Sequence, residues 1–148
     1  MMFSSTERFE WDSVSPHKSQ ELSEAECWSL LSGEDTGRIA FLQDGRVLVF
    51  PVNYLLHGNS VYFRTSSQSG LALLPGDLNS SFQVDSHDSE RMDGWSVLVS
   101  GRANAVKEGA LLTTLWGLRA PAPYGGGERN LFVGIDPTRV TGRRVRMG

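Results

Sequence analysis

A mainly β chain with a few short helices is the fold class this sequence predicts, and three observations carry it. Tight-turn residues stand between apolar runs twice, at Gln43-Asp44-Gly45-Arg46 and at His57-Gly58-Asn59. The stretches 37–42, 47–52, 61–63, 80–85 and 95–106 are rich in β-branched and aromatic residues and are bounded by Gly, Asn, Asp and Ser. Helical periodicity is confined to two short segments, so six or seven strands with one or two helices suggest a small barrel.

Residues 1–20 show no periodicity and form a partly ordered N-terminal arm, leaving 21–148 as the folded domain. Ser23 to Glu26 is a capping box: the hydroxyl accepts from the backbone of Glu26, whose carboxylate reaches back, and a helix follows until Gly33. Cys27 on that helix reads as a small core residue, with no basic group placed to lower its pKa. A strand over 37–42, the Asp-Gly turn and the central strand, from Arg46 up to the turn at His57, come next. Val47, Leu48, Val49, Phe50 and Val52 are apolar on both parities, which predicts burial on both faces. Pro51 cannot donate to a ladder, so it marks an edge, a bulge or a place where the sheet opens. The returning strand ends in Arg64, Thr65, Ser66 and Ser67, and a short helical turn is expected over 71–74. Residues 80–85 form a strand, 86–94 a polar connection, and 95–106 a long strand with a bulge at Gly101. A helical stretch over 108–116, a Pro/Gly-rich loop over 119–130 and a last hairpin around Asp136-Pro137 complete the chain.

Composition narrows the function. The 148 residues fit one domain, and no run approaches the roughly 18 apolar residues of a membrane span. The N-terminus lacks a basic segment followed by an apolar run, so a cytoplasmic protein is expected. A lone cysteine excludes an internal disulfide, and His17, His57 and His87 lack ligand-like spacing, so no metal centre is expected. A net charge of −3 gives no steering toward nucleic acid. Lys18 and Lys107 are the only lysines, and neither sits in an apolar setting suited to Schiff-base chemistry.

Three places can carry chemistry. Arg64 with Thr65, Ser66, Ser67 and Ser69 gathers a guanidinium, hydroxyls and backbone N–H groups, the makeup of a phosphate site, although a solvated serine-rich loop would look the same. Asn53 beside Pro51 needs hydrogen-bond partners within an apolar strand, and either a ligand or a neighbouring loop could supply them. Trp95, Trp116 and Tyr124 offer flat faces for a ligand, a dimer contact or core packing.

The succession LSEAECWSLL, TGRIAF, DGRVLVFPVNYLL, SVYFRTSS, DGWSVLVSGRA and DPTRVTGRR resembles the pyridoxamine 5'-phosphate oxidase-like family of flavin-binding split barrels, from Leu22 to about Arg144. The resemblance implies a six-stranded Greek-key split barrel and a homodimer with flavin mononucleotide in two clefts at the interface. It places flavin contacts on Phe50, Pro51, Val52 and Asn53, and phosphate contacts on Phe63, Arg64 and Thr65 with Ser66 and Ser67. It puts an interfacial strand at Trp95, Ser96 and Val97, and a loop reaching the partner's flavin at Pro123 and Tyr124. Many relatives carry a lysine or arginine where this chain has Gly70. Deazaflavin and haem binders share the scaffold, so the fold does not fix the cofactor. The expected activity is a flavin-dependent oxidoreductase on an unidentified small molecule, with a non-catalytic flavin or haem binder and a deazaflavin-dependent reductase as alternatives.

Overall fold

Two tight turns set the register of the sheet. In the computed structural model, which describes residues 17–66, 70, 79–118 and 131–147, Asp44 and Gly45 take φ of 50° and 74°, and Gly58 and Asn59 take 56° and 59°. Positive φ at both central residues gives the twist that lays one strand back along the other. β2 (Thr36–Gln43) therefore pairs with β3 (Arg46–His57) from Gln43↔Arg46 to Thr36↔Asn53. β4 (Ser60–Thr65) returns along β3 from His57↔Ser60 to Tyr54↔Phe63. β5 (Ser80–Asp88) lies between β2 and β6 (Asp93–Ala105). β7 (Leu131–Met147) pairs with both β4 and β6, closing an antiparallel ring of β2 to β7.

The sheet has seven strands among the described residues, where six were expected. The additional one is β1 (His17–Glu21), laid against residues 143–147 of β7. Residues 18–21 are all exposed, so this edge strand has no apolar alternation by which to be read. The expected hairpin around Asp136-Pro137 is a second correction. β7 runs straight through it, because β6 pairs along its whole length and absorbs Pro137 with a register shift between Ser100 and Gly101. A bulge lies at Gly101 as expected, but on the partner strand: the extra residue is Thr138 of β7, which donates from Oγ1 to the carbonyl of Ser100 at 3.2 Å. The polar connection expected over 86–94 shrinks to 89–92, since β5 and β6 extend into it and Asp88 Oδ1 accepts from the backbones of Glu90 and Arg91. The helical turn expected over 71–74 and the loop over 119–130 lie outside the described residues.

The ring encloses Ile39, Phe41, Val52, Tyr54, Val61, Phe63, Phe82, Val84, Val97, Val99, Val133 and Ile135. Helix α1 (Glu24–Ser32), with its capping box formed, adds Cys27 and Leu31 to this core. Burial pushes the Cys27 thiol above its ordinary pKa, with Glu26 and Glu24 adding to the shift, which leaves it unreactive. Burial on both faces of β3 is not observed. Val47 is 69 % and Val49 56 % exposed, with Leu42 across from Val47 at 60 %. A closed single-layer ring has one interior, so the second apolar parity of β3 faces outward.

Tyr54 ties the helix to the barrel. Its hydroxyl donates to the Leu31 carbonyl at 2.5 Å, and its ring meets Phe82 edge-on at 4.9 Å. Burial raises its pKa, and the Glu34 and Asp35 charges raise it further. Tyr54→Phe is expected to cost about 0.5–1.5 kcal/mol at neutral pH, by removing this buried hydrogen bond and leaving the Leu31 carbonyl only the Glu34 N–H at 3.3 Å. The folded-state pKa lies above the unfolded value of about 10, so the hydroxyl's contribution is complete below that pH and is lost as pH rises through the folded value. Urea titrations at pH 7 and at pH 10.5 should show the wild type losing stability that the phenylalanine variant does not have to lose.

Candidate functional site

The ring splits between β3 and β4. Their pairing stops at Tyr54↔Phe63, beyond which residues 46–53 pair only with β2 while Arg64 and Thr65 pair only with Phe132 and Leu131 of β7. Over that length no strand among the described residues lies against the β4-facing edge of β3. The polar groups singled out from the sequence gather at this fork.

Strand alternation sorts them into two faces. Phe50, Val52, Phe63 and Thr65 share the inner parity, and Val52, Phe63 and Thr65 are buried. Phe50 stacks on Phe41 at 6.0 Å, and Gly70 lies against its ring: a Cβ on that glycine would come 3.3 Å from Phe50 Cζ. Pro51, Asn53 and Arg64 share the outer parity. Arg64 and Thr65 thus turn to opposite sides of the sheet, and Ser66 continues from the strand end. Asn53 donates from Nδ2 to Thr36 Oγ1 at 3.2 Å and to the Asp35 carbonyl at 3.5 Å. The neighbouring loop therefore uses its donors, and its carbonyl oxygen is the group left to accept from a ligand.

Two further residues reach the fork. The Arg64 guanidinium lies 5.1 Å over the Trp116 ring of α2 (Gly109–Gly117). Arg38 pairs with Pro51 on the outer face and meets Asp85 at 3.7 Å. The tight Asp44–Gly45 turn fixes that register, so counting back from it would have found Arg38 in the sequence. Trp95 lies three strands around the ring from β3, where it pairs with Ser86 of β5 and with Arg144 of β7. Ser67 and Tyr124 lie outside the described residues.

Beside the fork, a cavity of about 470 Å³ opens on the outer face. Tyr62, Arg102, Asn104, Lys107, Glu108 and Asp136 line it, with Asn104 Nδ2 donating to Asp136 Oδ2 at 3.2 Å. The Tyr62 ring covers Gly134, where a Cβ would come 2.7 Å from it.

Chemically, the fork suits a flat ligand with a phosphate. Phe50 on the inner parity and Pro51 on the outer supply apolar surface, Asn53 and the edge of β3 without a strand partner among the described residues supply hydrogen-bonding groups, and Arg64 and Ser66 supply a cation and a hydroxyl. No helix among the described residues is long and apolar enough to cross a membrane.

Comparison with known proteins agrees with the fold. Residues 23–144 match the sequence profile of the pyridoxamine 5'-phosphate oxidase family. The structure is similar to an FAD-binding protein from Mycobacterium smegmatis, at 34% identity and a TM-score of 0.75 over 86% of this chain and 98% of that one. An FAD- and haem-binding protein from the same organism shares the fold at 16% identity and a TM-score of 0.62, over 90% of this chain and 74% of that one. An uncharacterised protein of Mycobacterium tuberculosis is 28% identical over 137 residues, 84% of each chain.

Proposed function

Since the chain belongs to the pyridoxamine 5'-phosphate oxidase family, we propose that it binds a flavin at the β3–β4 fork and works as a cytoplasmic, homodimeric oxidoreductase on a small molecule. The observation that carries this is the fork itself, where apolar wall, amide, hydroxyl and guanidinium meet at an edge of β3 that has no strand partner among the described residues. The FAD-binding relative at 34% identity supports a flavin as the occupant. Flavin mononucleotide and the dinucleotide both meet the donor set in kind, through the phosphate next to the ribityl chain.

Bound there, the flavin would carry hydride or electrons. The chain's own residues bind and orient it. Arg64 and Ser66 hold the phosphate, Asn53 accepts at the polar edge of the ring, and Pro51, on the same outer parity as Asn53 and Arg64, supplies apolar wall beside it. Thr65, whose side chain is 1 % exposed, shapes the inner wall of the fork.

The dimer rests on two features. Leu42, Val47 and Val49 form an exposed apolar strip on the outer face of β2 and β3, continuous with Pro51. Trp95 stands on β6, three strands around the ring from β3, and a second copy could bring it to the fork.

The direct test is a visible spectrum of purified protein after adding flavin mononucleotide, FAD or a deazaflavin and removing the excess. Retained bands near roughly 370 and 450 nm identify an oxidised flavin; a colourless protein after both flavins overturns the reading. Gly70→Lys is a second test. The Phe50 ring is half-buried and can give the few tenths of an ångström that a Cβ requires. A charge-assisted contact to phosphate is worth about 1.5–3 kcal/mol, so affinity for flavin mononucleotide is expected to rise about tenfold to a hundredfold. Riboflavin affinity should stay unchanged.

A further inference from the structure

Trp116 is an aromatic residue that the flavin reading leaves without a task. It sits in the last turn of α2, a helix fixed to the barrel by the buried Leu115. One face of the indole receives the Arg64 guanidinium at 5.1 Å. The ring also meets Phe132 edge-on, at 5.0 Å and 81°. Phe132 is 1 % exposed and is the β7 residue across from Arg64, so the strand that pairs with Arg64 also carries the ring that seats Trp116. Trp116 itself stays 47 % exposed, which is more than its packing on Phe132 would require of a residue serving only the core.

Arginine carries about 2 kcal/mol of rotamer entropy, and an unrestrained guanidinium at a strand end would spread over many positions. A guanidinium stacked on a ring keeps its plane, and so the direction of its N–H groups, fixed for planar recognition of an oxyanion. We propose that Trp116 is a positioning residue for the phosphate-bearing part of the flavin: it holds the Arg64 guanidinium on the outer face of the fork. This inference rests on the flavin reading, and deepens it by adding α2 to the site.

The test separates positioning from simple packing by using ligands with and without phosphate. Trp116→Leu keeps apolar contact with Phe132 and removes the ring face. It is expected to weaken binding of flavin mononucleotide and FAD about three- to thirtyfold, while riboflavin binds as to the wild type. Arg64→Met should give the same selective loss, and adding Trp116→Leu to it should cost nothing more. Trp116→Met supplies the same test should the leucine variant not fold. The inference is overturned if Trp116→Leu binds flavin mononucleotide as the wild type does while Arg64→Met does not. It is equally overturned if riboflavin weakens by the same factor, since a structural lesion would do that. A wild type that binds none of the three ligands overturns the flavin reading and this inference together.

Discussion

Val49→Asp is expected to turn a dimer that holds flavin into a folded monomer that does not. Val49 is 56 % exposed in the single chain and lies between Val47 and Pro51 on the outer parity of β3. A carboxylate there is solvated in the monomer, so folding stability should change by no more than about 0.5 kcal/mol. In a dimer closed over this strip, the same carboxylate would be buried without a partner, at a cost of several kcal/mol. Sedimentation at several concentrations reads the assembly, and the visible spectrum of the same sample reads the flavin. If the partner copy completes the flavin site, both signals should fall together. A variant that remains dimeric and yellow would place the interface on another face.

Gly101→Ala carries the largest expected effect on stability. Gly101 is buried at the β6–β7 bulge, where its partner is Pro137. A methyl group there would collide with the carbonyl oxygen of Asp136, and would come 2.8 Å from that carbonyl's carbon and 3.0 Å from Pro137 Cα. Those atoms are backbone held in a ladder, so relief requires the two strands to move apart. The Gly101 carbonyl also accepts from the buried Ser80 hydroxyl at 2.8 Å, and the same movement would strain that bond. Overpacking of this kind costs about 3 kcal/mol or more. Gly109→Ala is the control. Nothing lies within 4 Å of its Cβ position at the first residue of α2, and the change should be neutral or stabilising by up to about 1 kcal/mol. Urea midpoints for the two variants should move far apart; equal midpoints would remove the steric account of Gly101.

The capping box at Ser23 and Glu26 was legible because its chemistry is local, and it formed as read. There the backbone N–H of Ser23 holds the Glu26 carboxyl below its usual pKa, with the Ser23 hydroxyl contributing next. Asp44-Gly45 and Gly58-Asn59 were legible for the same reason, since positive φ is a property of a single residue. From those turns the pairing of β2, β3 and β4 follows by counting. Residues Phe50 to Asn53 and Arg64 to Ser66 could therefore be placed near one another before any coordinates.

Other features depended on distant parts of the chain. Val47 and Val49 have a local pattern that fits burial on two faces as well as an apolar outer surface, and only closure of the ring decides between them. Asp136-Pro137 has the composition of a turn, yet β6 supplies a partner along its whole length and keeps the chain extended. Residues 18–21 of β1 are exposed, so its identity as a strand depends on β7 offering an edge.

By itself, then, the sequence determined the turns, the helix cap, the order of the strands and the chemical kinds of group available to a ligand, because each of these is set within a few residues. The tertiary structure decided where the ring splits, that Arg64 and Thr65 face opposite sides, that Trp116 lies under Arg64, and that Trp95 stands three strands around the ring from β3. Those facts depend on strand closure and on a helix packed across the sheet, and such contacts join residues whose separation along the chain carries no signal of their meeting.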